Sequence, residues 1–461
     1  MMSNPLPTEP WYSGITRYQW LVLVIASLGW VFDVFEGQIF VASMNEAMPS
    51  LVPLGTKPSE LGFYNNIALA AFLTGGAVGG VVFGMLADRW GRTRTMIYTI
   101  VVYSLFTCVS AFAQTWWHLA VFRFFVALGV GGEWAVASAL VAEVFPTRAR
   151  AWSLGIFHAS SVIGTMLATA AGLYIVGNPA LQSEDYPSLP WRLGFVLGVL
   201  PALLIIWIRM SLREPERKPV DPRNVAPAGR LSDLFRGSLL RNTIVGVGLA
   251  SVGLATFWGV HIYGKDLMRA EEQRSIVAQH LPAWNELLTE GARKELLKPY
   301  ASQLKSAEML GMFLVTIGGG FGLVSFGPLS EWIGRRGAFL FYHLGGLIIA
   351  LVAFRGLHGP SRNELFVLLP VFGFLTLGMH AGYAVYFPEL YPTRLRSTGA
   401  GFCFNVGRIL AAPCLFASGW LQSRYDMTQS NALSLLSMLY LVGIVLLLAA
   451  PETRGKDLTD V

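Results

Sequence analysis

Charge is what this chain has least of. Only 13% of its 461 residues are Asp, Glu, Lys or Arg, against 54% hydrophobic, whereas soluble domains carry about one quarter charged residues. The shortage puts the chain outside the soluble class. Cysteine is scarce too, and Cys108, Cys403 and Cys414 all lie inside apolar runs, so they read as small packing residues with no disulfide, redox or metal role expected. The glycine-rich run GGAVGGVVFG at Gly75 to Gly84 lacks the Lys and the Ser or Thr that a nucleotide-binding loop needs, and it sits within an apolar stretch. No ATP-driven pump is indicated, and small residues every four positions allow close helix contact instead. No small-residue cleavage pattern follows the first apolar segment, from about Tyr18 to Met44, so it is expected to stay as a helix and not to be removed as a signal peptide. Neither catalytic residues nor a cofactor are expected; this is not an enzyme.

What the chain has in abundance is long apolar runs. A stretch of about 20 such residues crosses roughly 30 Å of hydrocarbon as helix, and the runs centre near Gly29, Gly76, Tyr103, Gly129, Ser161, Leu200, Leu249, Gly318, Leu347, Gly373, Phe404 and Tyr440. The expected fold is thus an all-α membrane protein of twelve transmembrane helices, numbered here as segments 1 to 12, in two six-helix bundles. Residues 1–17 form an N-terminal tail, 18–210 the first bundle, 211–240 a linker rich in Arg and Pro, 241–450 the second bundle, and 451–461 a polar tail. Within the second bundle, 264–306 is a long insert in which Leu281, Trp284, Leu287 and Leu288 recur at helical spacing; it either caps the outer mouth or decorates the surface. Of the 34 Lys and Arg residues, 20 fall in loops on the side that holds both termini, 12 on the other and two inside segments; seven of the 12 belong to the insert, which the orientation rule largely discounts. Both termini should face the cytoplasm of a cell or inner membrane, and this distribution accounts for the formal charge of +6 without nucleic acid.

The chain is also duplicated. EVFPTRAR (Glu143 to Arg150) returns as ELYPTRLR (Glu389 to Arg396) 246 residues later, and FGMLADRWGR (Phe83 to Arg92) returns as FGPLSEWIGRR (Phe326 to Arg336) at an offset of 243. Two parallel halves are a common layout of secondary transporters. Each half brings acids and arginines to the same pair of inner loops: Asp88, Arg89, Arg92, Glu143 and Arg150 in the first, Glu331, Arg335, Arg336, Glu389 and Arg396 in the second. Arginine grips a carboxylate bidentately and can release it again, so these ten residues are expected to form a cytoplasmic gate. Glu331 stands where the first copy has Asp88, and Trp332 with Ile333 replaces Arg89. The second latch should be the weaker, carried by Arg335 and Arg336.

ADRWGR, RFFVALGVGGEW, EVFPTRAR, ELYPTRLR and PETRGKDL together resemble the signatures of the major facilitator superfamily over nearly the whole chain except the insert. PETRGKDL and LREPER resemble its sugar-porter branch, while GVGGEW and NVGRILAAP are closer to its metabolite/proton symporters, nicotinate carriers and organic-ion carriers. The resemblance implies alternating access by rocking of two six-helix bundles, with substrate held at the midplane by segments 1, 4, 5, 7, 8, 10 and 11.

Charges inside the segments point to the site. An ionisable group near the bilayer centre costs on the order of 3 kcal/mol on insertion scales, and five invite a role: Asp33, Glu36, Arg123, Glu133 and Arg408. At about 1.5 Å per residue, Asp33 and Arg123 both fall roughly 8 Å below the outer surface, so they are expected to pair, with protonation of Asp33 releasing Arg123; proton-coupled sugar porters resemble this arrangement. Glu36, one turn on, is either a second proton site or snorkels to the outer mouth. Glu133 either relays protons with His380, the neighbour of its repeat counterpart Met379, or is hydrogen bonded inside its own bundle. Arg408 lies roughly 15 Å into segment 11, near Asn405, with no acid on that segment to offset it; it either meets an anionic substrate or pairs with Glu36 or Glu133. Trp258 and Tyr383 are candidate substrate contacts, whereas His158 and His261 read as packing.

The function that follows is secondary active transport, proton-coupled symport of a small organic anion such as an aromatic or short-chain carboxylate. The alternative is a proton-coupled or facilitative sugar or polyol carrier, in which Arg408 would be structural. A transporter-like sensor would be expected to carry a longer tail than the few residues after segment 12. The expected partners are a small-molecule substrate, protons and the lipid bilayer, with each chain complete as a monomer.

Overall fold

The structure, a computed structural model, describes residues 10–56, 61–176, 181, 186, 188–202, 207–208, 211, 230–280, 296–356 and 359–455. Among them there is no strand. Among the described residues, nine helical stretches are long and apolar enough to cross a bilayer. One of these, Ser306–Gly356, turns at Gly334 (φ 84°, ψ 165°) and so holds two helices. Two more helices complete the set of twelve: Arg92–Ser110, whose start carries Arg92 and Arg94, and Leu189–Val199, beyond which residues 203–206 lie outside the described part. The expected all-helical fold of twelve segments holds, and the sixth segment, expected near Leu200, is described over Leu189–Val199.

In chain order the helices are α1 (Arg17–Ala47), α2 (Leu61–Trp90), α3 (Arg92–Ser110), α4 (Trp116–Val144), α5 (Thr147–Val176), α6 (Leu189–Val199), α7 (Gly237–Gly259), α8 (301–333), α9 (335–351), α10 (Arg362–Glu389), α11 (Arg396–Ala411, continued by Cys414–Tyr425) and α12 (Gln429–Ala449). Local sequence sets several starts. Thr16 and Ser361 cap α1 and α10 in reciprocal boxes with Gln19 and Glu364, and Thr115 and Thr428 accept backbone N–H groups at the starts of α4 and α12; such caps satisfy donors that a helix start leaves free.

The duplication reaches the backbone. Gly91 (φ 103°), between α2 and α3, and Gly334 (φ 84°), between α8 and α9, stand at the same repeat position, and both adopt the left-handed region that is nearly free only to glycine. The glycine run of α2 serves two neighbours at once. Gly75 and Gly79 lie against the backbone of α4 at Phe124 and Leu128, whereas Gly76, Gly80 and Gly84 face α11 at Arg408, Asn405 and Ser397 to Thr398. Helices α2 and α11 therefore meet across the two halves, and α5 meets α8 in the same way, with Gly327 against Ala151 and Trp152.

The insert begins with a helix, Gly264–His280, tied to the last six helices by Lys265 to Glu308 (2.6 Å), Arg269 to Glu308 (3.3 Å), Arg362 to Glu272 (3.1 Å) and Arg274 to the Pro360 carbonyl (2.8 Å). Leu281, Trp284, Leu287 and Leu288 lie outside the described residues, as does the linker over 212–229. The end of the linker is pinned by Asp233, which accepts from the Arg230 N–H (3.0 Å) and pairs with Arg394 (3.3 Å). The Arg230 N–H, with Arg394 and Arg236 adding to it, holds this carboxyl below its ordinary range.

Candidate functional site

The acids and arginines of both repeats meet on one face. Asp88, at the end of α2, reaches the start of α11: its Oδ1 accepts from the Ser397 N–H (3.3 Å), and its Oδ2 from the Thr398 N–H (2.9 Å) and hydroxyl (2.6 Å). A carboxylate at a helix N-terminus meets free donors and the positive end of the helix dipole. Arg92 holds Asp88 (3.0 Å) and also Glu143 (2.8 Å), and Glu143 takes a second guanidinium from Arg396 (2.7 Å). One carboxylate thus joins α3 and α4 to α11.

The second repeat builds the same figure with different lengths. Arg335 grips Glu389 through two bonds (2.9 and 3.1 Å) and holds Glu331 (2.9 Å), but Arg150 stands 4.0 Å from Glu389. The C-terminal Thr453 hydroxyl donates to Glu389 (2.6 Å), and Glu452 accepts the Arg335 and Arg336 N–H groups (3.0 and 3.2 Å). Partial burial pushes Glu452 up, but the Arg335, Arg454 and Arg336 N–H groups outweigh it and hold this carboxyl below its ordinary range. Eight of the ten gate candidates come together. The side chains of Arg89 and Arg336 are exposed and make no ion pair among the described residues, because each directly neighbours the inward-pointing Asp88 or Arg335 and the helix turns it outward.

A second cluster lies in the interior. Asp33, Glu36, Arg123 and Glu133 are all at most 1% exposed. Asp33 and Arg123 do not pair. Arg123 donates to the Glu36 carbonyl (2.9 Å) and lies over the rings of Phe72 (4.9 Å), Phe40 (5.0 Å) and Phe195 (5.9 Å). Depth along two helices places residues at one level but leaves their facing open; here the facing of α1 separates them. Asp33 has Glu133, Glu36 and Arg408 within electrostatic reach, and both its oxygens are buried without a hydrogen bond. Glu36 turns toward Thr107 and Gly198 and is fully buried, not exposed at a mouth.

Glu133 accepts a short hydrogen bond from Thr99 and lies against Gly29, so its partners are in its own half. His380 instead bonds the Gly253 carbonyl (3.2 Å). Arg408 pairs with neither Glu36 nor Glu133. Its guanidinium rests over Phe404 (5.1 Å), points across to Gly76 and faces Asp33, with Nη1 buried and unpartnered. Asn405 donates to Gly401 (3.0 Å) and Gly131 (3.4 Å). Tyr383 spends its hydroxyl on the Leu249 carbonyl (3.1 Å), and Trp258 packs edge-on to Phe257, apart from the charges.

Sequence reasoning missed the ring that joins the halves: Trp134 on α4 stacks on Phe404 of α11, with centroids 4.2 Å apart and planes 21° apart. It also missed Tyr103, whose buried hydroxyl has no partner among the described residues and which lies near all three carboxyls. The GVGGEW motif contains Trp134, but nothing in it says which way the indole faces.

Residues 20–413 match the profile described as Major Facilitator Superfamily. The "Probable 4-methylmuconolactone transporter" of Cupriavidus pinatubonensis is 27% identical over 98% of this chain and 95% of its own. The niacin transporter NiaP of Acinetobacter baylyi is 26% identical over 97% of each chain. Among solved structures, the proton:xylose symporter XylE bound to 6-bromo-6-deoxy-D-glucose superposes with a TM-score of 0.70 over 96% of this chain and 98% of that one at 15% identity, a likeness of fold.

Proposed function

The chain belongs to the Major Facilitator Superfamily and is a multi-pass membrane transporter, and from that premise we propose that it carries a small organic anion together with protons by alternating access. The observation that carries this reading is Arg408: a guanidinium from α11 aimed into the first six helices, with a buried, unpartnered Nη1 and no carboxylate in contact among the described residues. An unpaired buried guanidinium is costly, and a carboxylate is its natural partner.

Charge counting supplies the coupling. Three buried carboxyls, Asp33, Glu36 and Glu133, stand against two buried guanidiniums, Arg123 and Arg408, so the fully ionised set carries one net negative charge, and an entering anion makes two. Low-dielectric surroundings penalise that excess, so the anion enters favourably when protons come with it. Asp33 is the proposed acceptor because, of the two carboxylates whose oxygens are both buried without a hydrogen bond, Asp33 and Glu36, it is the one that faces Arg408; Glu36 and Glu133 hold the further negative charge. Asn405 and His380 flank the anion, with the Tyr383 ring and Trp258 farther out, and the gate of Asp88, Arg92, Glu143, Arg150, Glu331, Arg335, Glu389 and Arg396 closes the cytoplasmic side. Both termini lie on that side, and one chain suffices. Relatives named for methylmuconolactone and niacin agree with an organic acid.

The test is uptake into proteoliposomes of nicotinate, benzoate, lactate and hexoses under an inward proton gradient. Gradient-driven carboxylate uptake that is lost in Asp33→Asn and Arg408→Ala is the expected result. Hexose uptake that survives Arg408→Ala would replace this reading by a sugar carrier.

A further inference from the structure

We infer that Trp134 and Phe404 form a ring clamp that selects a planar aromatic carboxylate over an aliphatic one of equal size, an inference that rests on the organic-anion reading. Their stack is the one ring pair among the described residues that joins the first six helices to the last six. Trp134 is 1% and Phe404 5% exposed, so each ring face loses its partner when the halves separate. A flat ring entering between them restores both stacked faces, whereas a puckered or flexible chain restores neither.

The anion site adjoins the clamp. Arg408 rests over the same Phe404 ring at 5.1 Å, one helical turn along α11, so a molecule whose carboxylate is attached to its ring reaches the guanidinium while the ring lies at the stack. On the clamp's other side are two histidines. Trp134 donates its indole N–H to Nδ1 of His158 (3.3 Å), and Trp30 bonds the His158 carbonyl (3.2 Å). The indole bond makes Nδ1 the acceptor and leaves Nε2 carrying the proton, with no bond to another described residue. His380 stands across from His158 within electrostatic reach, between the rings of Phe257 (5.5 Å) and Tyr383 (5.4 Å). The stack is therefore surrounded by flat rings from both halves, with a guanidinium on one side and an imidazole N–H on the other.

The discriminating pair of ligands is benzoate and cyclohexanecarboxylate, alike in charge and size but flat and puckered respectively. Binding is measured on the purified full chain by calorimetry. The expected result is a preference for benzoate of about tenfold, the scale of stacking on two faces, which Trp134→Leu and Phe404→Leu reduce to within about twofold and Trp134→Phe retains. Melting temperatures of the three variants identify any that misfold, and tryptophan fluorescence quenched by benzoate but not by cyclohexanecarboxylate gives a readout on the native chain. Equal binding of both acids by the wild type, or a preference that survives both leucine variants, overturns the clamp while leaving the anion reading intact. Binding of neither acid overturns both.

Discussion

The two copies of the charged loop pair differ most in where their carboxylates go. Asp88 spends its oxygens across the halves, on three donors at the start of α11, and stays buried; Glu331 holds Arg335 within its own half and keeps 27% of its side chain exposed. The same contrast returns one loop later: Glu143 meets Arg396 at 2.7 Å across the halves, while Arg150 stands 4.0 Å from Glu389. Glu389 is occupied by the bidentate Arg335 and by Thr453. Duplication supplied equal charges, and the structure divides their work. The carboxylates of the first copy bond across the two halves, and those of the second bond mainly within the last six helices and to Thr453.

Removing Asp88 should break the comparison most sharply. Asp88→Ala strips the start of α11 of its cap and Arg92 of one partner, and charge-assisted bonds of this kind are each worth about 1.5–3 kcal/mol. Turnover is expected to change on the order of tenfold or more, with ligand affinity within about twofold, whereas Glu331→Ala should alter turnover by less than about twofold; uptake rates and equilibrium binding read the two quantities. Glu143→Gln comes next, with a several-fold change in turnover, and an unchanged rate with weakened binding would count against the latch. Glu389→Gln sharpens the contrast from the other side, because its cost should fall on stability: a melting point lowered by a few degrees on the order expected for a lost buried pair, with turnover little changed.

The smallest effect belongs to Glu452. Its carboxyl is held below the ordinary range in the folded chain, so its contribution is fully present above the unfolded glutamate value of about 4.3 and is lost as pH falls through the lower folded value. The melting difference between wild type and Glu452→Gln should therefore be visible at neutral pH and close toward acid; a difference that grew on acidification would contradict the assignment.

Much of this was readable in the sequence because repeats and apolar length are one-dimensional signals. The offsets of 243 and 246 brought most of the matched acids and arginines together, and the longer Arg150–Glu389 distance sets the second copy apart, although Arg336, expected to share its latch with Arg335, lies exposed. What failed was facing. Depth put Asp33 beside Arg123, yet α1 turns Asp33 toward Arg408 and gives Arg123 the Glu36 carbonyl. Arg89 and Arg336 matched the motif but lie on the outer side of their turns. The Trp134–Phe404 stack joins residues 270 positions apart by no periodicity, and it emerges only when α4 and α11 are packed. The glycine run was legible as close packing, but not as packing on two helices at once.

The most direct test of the central claim is the proton flux that accompanies each transported anion, measured in proteoliposomes loaded with a pH-sensitive dye during benzoate uptake. The charge count predicts at least about one proton entering per anion and loss of that flux in Asp33→Asn. Anion uptake of undiminished rate with no accompanying proton would contradict it.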